Sequence, residues 1–329
     1  AASRGETWSF VGASKYAGGW NDLYFRLNKH PNAYELDEED YDCSLMAFFL
    51  ESDARKRIAF LRHCSERQRN KIVNIYWEII HSYVVLPDGD VVRKYRGNPS
   101  GSYNTILDNV LTLYDLLAYA WIKLAPAELC SYRHFHANVE AVFCGDDNTW
   151  TVSNLAHGFF NGRTVAAIWT EIGITTKSDN WQARKLIDCW FMSSGFLEIN
   201  HPWKTGVRTV VPYPETSKVM ASLAFNTKCS NAKWSLLRAS ALRIESFYNE
   251  SCRVMIDDYI LYLMREYIVE LRSECDPDDP LDFLTFEEVS AVYKSDMEIV
   301  ALYHGLEGGF TFSDAVEEAL KLEGYRFKV

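Results

Sequence analysis

An α+β fold follows from three patterns in the sequence. Short runs of strand-forming residues flank two turn signals, Pro87-Asp88-Gly89-Asp90 and Gly145-Asp146-Asp147-Asn148, as antiparallel hairpins do. Tyr103 to Leu124 carries apolar residues at helical spacing. After Pro212 and Pro214 the pattern is almost wholly helical. An antiparallel sheet flanked by helices, with a helical C-terminal part, is the architecture these patterns predict.

In chain order, the first thirty residues are Gly-rich and aromatic, with His30-Pro31-Asn32 as a turn. Tyr34 to Asp37 reads as a short strand ending in acid. Leu45 to Leu50 opens an apolar helix, and Glu51 to Ile80 continues helical. That run is rich in cations: Arg55, Lys56, Arg57, Arg62, Arg67, Arg69 and Lys71. It is either a solvated helix face or a surface for a polyanion. Tyr83-Val84-Val85 and Val91-Val92 form the first hairpin within His81 to Lys94, and Gly97 to Ser102 is a loop. Val139 to Cys144 and Thr149 to Val152 form the second hairpin, with Asp146 and Asp147 at its tip. Gly162 to Ile172 is helical and Gly173 stops it. Ser193-Ser194-Gly195 marks a tight hairpin within Phe191 to Ile199. Helices are expected over Glu215 to Phe225, Ala232 to Tyr248 and Ile256 to Leu271. Cys275 to Pro280 is an acidic break before a last helical stretch.

The 329 residues suffice for two or three subdomains. Aromatic content of 14% favours a packed fold over disorder. The net charge of −11 means that any basic path for a polyanion is local or lies on sequence outside the chain. None of the eight cysteines forms a C-x-x-C pair or has a His at zinc-finger spacing, so a reduced, cytosolic protein is expected. The N-terminus lacks the pattern of a signal peptide, and the longest apolar stretch, Val110 to Leu124, is too short to span a bilayer. A start at Ala-Ala-Ser reads as a piece of a longer product.

The chemistry lies in acids far apart in sequence. If the strand ending at Asp37 pairs beside the second hairpin, its carboxylate crowds those of Asp146 and Asp147. Like charges about 4 Å apart repel by about 4 kcal/mol at an effective dielectric of about 20. Cations must then occupy the site, and magnesium, a hard ion, suits carboxylate and phosphate oxygen. Asp37 and Asp42 sit in a six-residue stretch with five acids, which alone reads as a solvated loop. Thr105 and Asn109 lie one turn apart on one helix face, able to point a hydroxyl and an amide toward Asp42. Gly101 allows an unusual backbone. Taken alone, Ser100 and Ser102 read as helix caps.

In order and spacing, Asp37-Glu38-Glu39-Asp40-Tyr41-Asp42, then Ser100-Gly101 with Thr105 and Asn109, then Gly145-Asp146-Asp147, resemble motifs A, B and C of the palm of a viral RNA-dependent RNA polymerase. The stretch Arg96 to Asn109 looks most like positive-strand viruses of the picorna-like assemblage, the astrovirus and potyvirus branches in particular. The resemblance implies a right-hand palm with partial fingers and a helical thumb. Residues 1–33 would be the end of the fingers, 34–50 palm with motif A, 51–90 a fingers insertion, 91–190 palm with motifs B, C and D, and 191–329 motif E and thumb. It implies template-directed ribonucleotide transfer with two metal ions, Mg²⁺ or Mn²⁺ in its place, held by Asp37, Asp146 and Asp147. Asp42, Ser100, Gly101, Thr105 and Asn109 would select the ribonucleotide. Gly173 to Lys177 resembles motif D, whose lysine protonates pyrophosphate; Lys177 takes that role, with Lys185 or a plain surface lysine as alternatives. Phe191, Ser193, Ser194 and Gly195 resemble motif E, which supports the primer.

Implied partners are RNA template and primer, nucleoside triphosphates and other viral replicase proteins, at membrane-associated complexes in the host cytoplasm. Motifs F and G, normally well upstream of motif A, have no counterpart in the thirty-six residues before Asp37. Two alternatives remain open to the sequence. One is a non-catalytic polymerase-like RNA-binding or assembly module. The other is a reverse transcriptase, against which Asn109 and Ser100-Gly101 argue.

Overall fold

Two units, each with its own core, divide the chain in a computed structural model that describes residues 7–177, 181–225, 231–275 and 284–305. The first holds the described residues up to Ala13 and from Leu23 to Met192; the second holds Ser14–Asp22 and those from Ser193 onward. Helix α1 (Gly19–Leu27) carries the chain from one to the other, a helix the Gly-rich N-terminal sequence had not announced.

The first unit is built on β1 (Asn32–Tyr34), β5 (Val139–Cys144) and β6 (Asp147–Val152), all antiparallel in the order β1-β6-β5. Tyr34 stands opposite Trp150, and Cys144 opposite Asp147. The expected hairpin is therefore present, closed by Gly145 at φ +68°, which a glycine adopts without strain. The expected strand Tyr34 to Asp37 is two: β1 ends at Tyr34, and β2 (Asp37–Glu38) pairs with β7 (Thr176–Lys177). Between them α2 (Tyr41–Ser44), α3 (Ala47–Phe60) and α4 (Glu66–Ile80) follow. The run over 51–80 is thus broken. Ser65 and Gln68 form a reciprocal capping box that starts a new helix, a sequence cue read through as continuous helix. Strands β3 (Tyr83–Val85) and β4 (Val91–Arg93) make the first hairpin as expected, exposed along both strands.

Helix α5 (Thr105–Leu124) runs through the core. Its Leu113, Leu116, Leu117 and Trp121 are buried with Phe143, Trp150, Phe160 and Trp169. Trp169 donates from Nε1 to the Leu116 carbonyl at 3.0 Å, so its buried ring nitrogen is satisfied. The short α6 (Tyr132–Asn138) leads into β5. Helix α7 (Gly162–Glu171) is capped by Asn161 and Thr164 and followed by Gly173 at φ +79°, the stop the sequence predicts. The unit closes with β8 (Trp190–Phe191).

In the second unit, β9 (Ser194–Asn200) and β10 (Arg208–Pro214) form an antiparallel hairpin. Helices α8 (Thr216–Ala224), α9 (Ala232–Glu245), α10 (Glu250–Glu266), α11 (Ile268–Leu271), α12 (Phe286–Val292) and α13 (Asp296–His304) follow. Val219, Leu236, Ile256, Ile260, Leu263 and Val289 form its main core. The stretch expected over 256–271 starts earlier, at Glu250, because Asn249 caps it. Buried Arg243 binds Asp257 at 2.5 Å and also Asp296, so its charge is paired. The acidic break at 275–280 lies largely outside the described residues.

Candidate active site

The sheet register brings the distant acids together. Beyond the Tyr34–Trp150 pair, where the backbone ladder ends, Leu36 meets the Asn148 side chain. The Leu36 N–H donates to Asn148 Oδ1 at 3.3 Å, and Asn148 Nδ2 donates to the Leu36 carbonyl at 2.8 Å. The next residue, Asp37, is exposed, while Glu38 is buried, as alternation along a strand requires. Asn148 Nδ2 also lies 3.1 Å from each Glu38 carboxylate oxygen and 3.4 Å from the Asp146 carbonyl. Burial drives the Glu38 carboxyl well above the usual carboxylate range, and the charges of Asp37 and Asp146 add to the rise. Both aspartates therefore act on the same small region.

Asp146 occupies the two-residue turn with Gly145, and Asp147 opens β6; both are exposed. Among the described residues, neither Asp37 nor Asp146 commits a carboxylate oxygen to a hydrogen bond, so both sets of lone pairs are available. Among the described residues, no three His, Cys, Asp or Glu side chains stand together as a ready-made metal cage. Magnesium is commonly held by one or two carboxylates with waters and substrate phosphates rather than by an all-protein cage. Two exposed, uncommitted carboxylates fit that ion.

Lys177 stands directly opposite Asp37 in the β2–β7 pair. Its ammonium lies 2.8 Å from Glu39, and the hydrogen bond and charge of that carboxylate raise its pKa. Lys185, the alternative, is exposed just before a short 3₁₀ turn over Leu186–Asp188.

A second cluster forms around Asp42. Its carboxylate accepts from the Asn109 amide at 2.6 Å and from the Ser100 hydroxyl. Asn98 Nδ2 donates to Asn109 Oδ1 at 2.9 Å, fixing the amide's orientation. The Asp42 carbonyl receives the Asn98 N–H at 2.7 Å, so motif A and the loop before α5 are stitched by backbone as well as side chain. The helix-capping role considered for Ser100 is replaced by this contact. Thr105 does not reach Asp42: its hydroxyl donates to the carbonyls of Pro99 and Ser102, at 2.5 and 2.9 Å. Gly101 lies in an exposed loop without positive φ and with open space around it. The strained position is Gly97, at φ +86°, where a Cβ would stand 3.0 Å from the Asp42 carbonyl oxygen.

The motif E residues are placed on either side of a tight turn in which Met192 and Ser193 both take positive φ. Phe191 is buried in the first unit, edge-on to Phe10 at 5.5 Å. In the second unit, Ser193 accepts from Lys218 and buried Ser194 from Lys15, each at 2.9 Å, and the Gly195 carbonyl accepts from Trp20 Nε1 at 3.3 Å.

Four residues that hold this site together escaped sequence reading: Glu38, Gly97, Asn98 and Asn148. Period-two alternation from Leu36 would have put Glu38 on the inner face; nothing local marks Asn148 as its partner.

The family described as viral RNA-dependent RNA polymerase matches residues 2–247 of the chain. A genome polyprotein of Ryegrass mosaic virus is 28% identical over 297 residues, covering 90% of this chain and 9% of that polyprotein. That of Tobacco vein mottling virus is 27% identical over 227 residues, 67% of this chain and 7% of the polyprotein. That of Ornithogalum mosaic virus is 34% identical over 140 residues, 42% of this chain and 12% of the polyprotein. The chain thus spans only about a tenth of each of these three polyproteins.

Proposed function

The chain belongs to the viral RNA-dependent RNA polymerase family, and from that premise we propose that it joins ribonucleotides on an RNA template, through the residues gathered at the Asn148 junction and around Asp42. The observation that carries this is the meeting of the Asp37 strand with the Asp146 turn, two segments far apart in sequence whose free carboxylates act on one region. When bound there, a pair of magnesium ions supplies the positive charge that activates an attacking 3′-hydroxyl and stabilises the leaving pyrophosphate. Asp37 and Asp146 would hold it, with Asp147 beside them.

The chain's own residues account for the rest. Asp42, with Ser100 and Asn109 hydrogen-bonded to it, presents a polar edge suited to a ribose 2′-hydroxyl, the group that separates RNA from DNA precursors. This favours an RNA polymerase over a reverse transcriptase. Lys177, kept protonated by Glu39 and facing Asp37, is suited to donate a proton to departing pyrophosphate. Phe191, Ser193, Ser194 and Gly195 are assigned to primer support on the strength of their turn.

The domain reading follows the same premise. The first unit carries the palm motifs and the finger segment over 51–90, and the helical second unit serves as thumb. Template, primer and nucleoside triphosphates are the substrates proposed. Other replicase proteins are the proposed partners, at membrane-associated complexes in the host cytoplasm. The cysteine pattern of the chain, with no C-x-x-C pair, is the support for a reducing compartment. Among the described residues no helix is long and apolar enough to cross a membrane.

Asp146→Asn tests the reading. Primer extension by the chain joined to complete fingers is expected to vanish, with the melting temperature unchanged or higher because a like charge near Glu38 is removed. Retained extension would take Asp146 out of the mechanism. A non-catalytic module would instead give the same calorimetric heat with magnesium before and after the substitution.

A further inference from the structure

The β1–β6 ladder stops one rung short of the acids, and a side chain completes it. Tyr34 and Trp150 are the last backbone pair; the same register continued would set Leu36 against Asn148, then Asp37 against Asp147. The backbone does not continue. Strand β2 turns away to pair with β7, and the Asn148 amide makes both bonds that a backbone rung would make, accepting from the Leu36 N–H and donating to its carbonyl. The same amide is held from the other side by both Glu38 oxygens. Asn148 and Glu38 are 4% and 5% exposed, so water cannot take over these bonds.

We propose that Asn148, braced by Glu38, is a positioning residue: its side-chain amide is a spacer that parts the Asp37 strand from the Asp146–Asp147 turn. A regular antiparallel rung holds facing residues about 5 Å apart at Cβ, which would set Asp37 directly on Asp147. An interposed side chain widens the junction and leaves a cleft lined by acid on both sides. An apolar residue at 148 would strand the Leu36 N–H and carbonyl in the interior and let the ladder collapse or slip. The inference rests on the metal-binding reading of Asp37 and Asp146 given above, and adds what sets their spacing.

Two readouts on the whole 329-residue chain test it: hydrogen exchange at the Leu36 amide, and magnesium affinity by calorimetry. Asn148→Leu is expected to speed Leu36 exchange and weaken magnesium binding by about 10-fold or more, the loss usual when a residue behind a metal ligand is removed. Glu38→Gln keeps an oxygen to accept from Asn148 and is expected to stay within about 3-fold of the parent, well inside that loss. If Asn148→Leu unfolds, Asn148→Asp reads the same quantities, since it keeps the acceptor for Leu36 and loses the donor. Unchanged magnesium affinity in the folded Asn148 variant overturns the spacer and leaves the metal site standing. A parent chain that takes up no magnesium overturns both.

Discussion

Asn109 shows how much one side chain can fix. Its amide gives a donor to Asp42 and an acceptor to Asn98, so a single group orients the carboxylate proposed to meet the ribose. Sites that hydrogen-bond a substrate hydroxyl discriminate strongly against analogues lacking it, because buried polar groups are otherwise left unpaired. Asn109→Leu should therefore narrow the preference for ribo- over deoxynucleotides by about 100-fold, read as the ratio of kcat/KM for the two in single-nucleotide extension. A loss of rate equal for both would assign Asn109 to folding alone. The reach to Asp42 expected of both Asn109 and Thr105 is made by Asn109 and not by Thr105, for one physical reason. Shared helix face places Cβ atoms, but a threonine near a helix start finds nearer acceptors in its own preceding carbonyls, here those of Pro99 and Ser102. Ser100, read alone as a cap, supplies the hydroxyl instead.

At the level of elements, α3 and α5 are joined through buried acids. Asp53 on α3 accepts from Thr112 on α5 at 2.9 Å and from Lys56 at 3.0 Å. Burial pushes its carboxyl up to about 7, against the pull of Lys56. The unfolded chain ionises this group at about 4, so between those values the folded state holds the extra proton. Stability from this group is then fully present below about pH 4 and is lost as pH rises through about 7, by about 4 kcal/mol at most. Asp53→Asn should flatten that part of the melting temperature's dependence on pH between about 4 and 7, measured by calorimetric scans. An unaltered pH slope would remove Asp53 as its source. Elements with local cues were legible: the Gly89 and Gly145 hairpins, α5, and α7 with its Gly173 stop. The division of 51–80 turned on the Ser65–Gln68 box, and the parting of Tyr34 from Asp37 on pairing with β7 far downstream. Local propensity cannot report a partner that distant.

For the whole molecule, the net charge of −11 sets the terms of the proposed RNA binding. A cavity of about 550 Å³ on the first unit is lined by Arg55, Arg62 and Arg69 with Ile58 and Leu61, and these three arginines have no carboxylate partner among the described residues. They give the acidic chain a local cationic face. If each meets a phosphate, replacing all three with Ala should lower the salt dependence of single-stranded RNA binding, log K against log salt, by about 2, measured by fluorescence anisotropy. An unchanged slope would return them to the ordinary solvated surface. The buried–exposed alternation at Leu36, Asp37, Glu38 and Glu39 has a further result for the chain as a heritable object. Removing or inserting one residue between Tyr34 and Asp37 would exchange the inward and outward acids, sinking Asp37 into the interior and lifting Glu38 to the surface. Point changes there leave the frame of the site intact; a change of length by one does not, so this two-residue link is where genetic drift in length must stop.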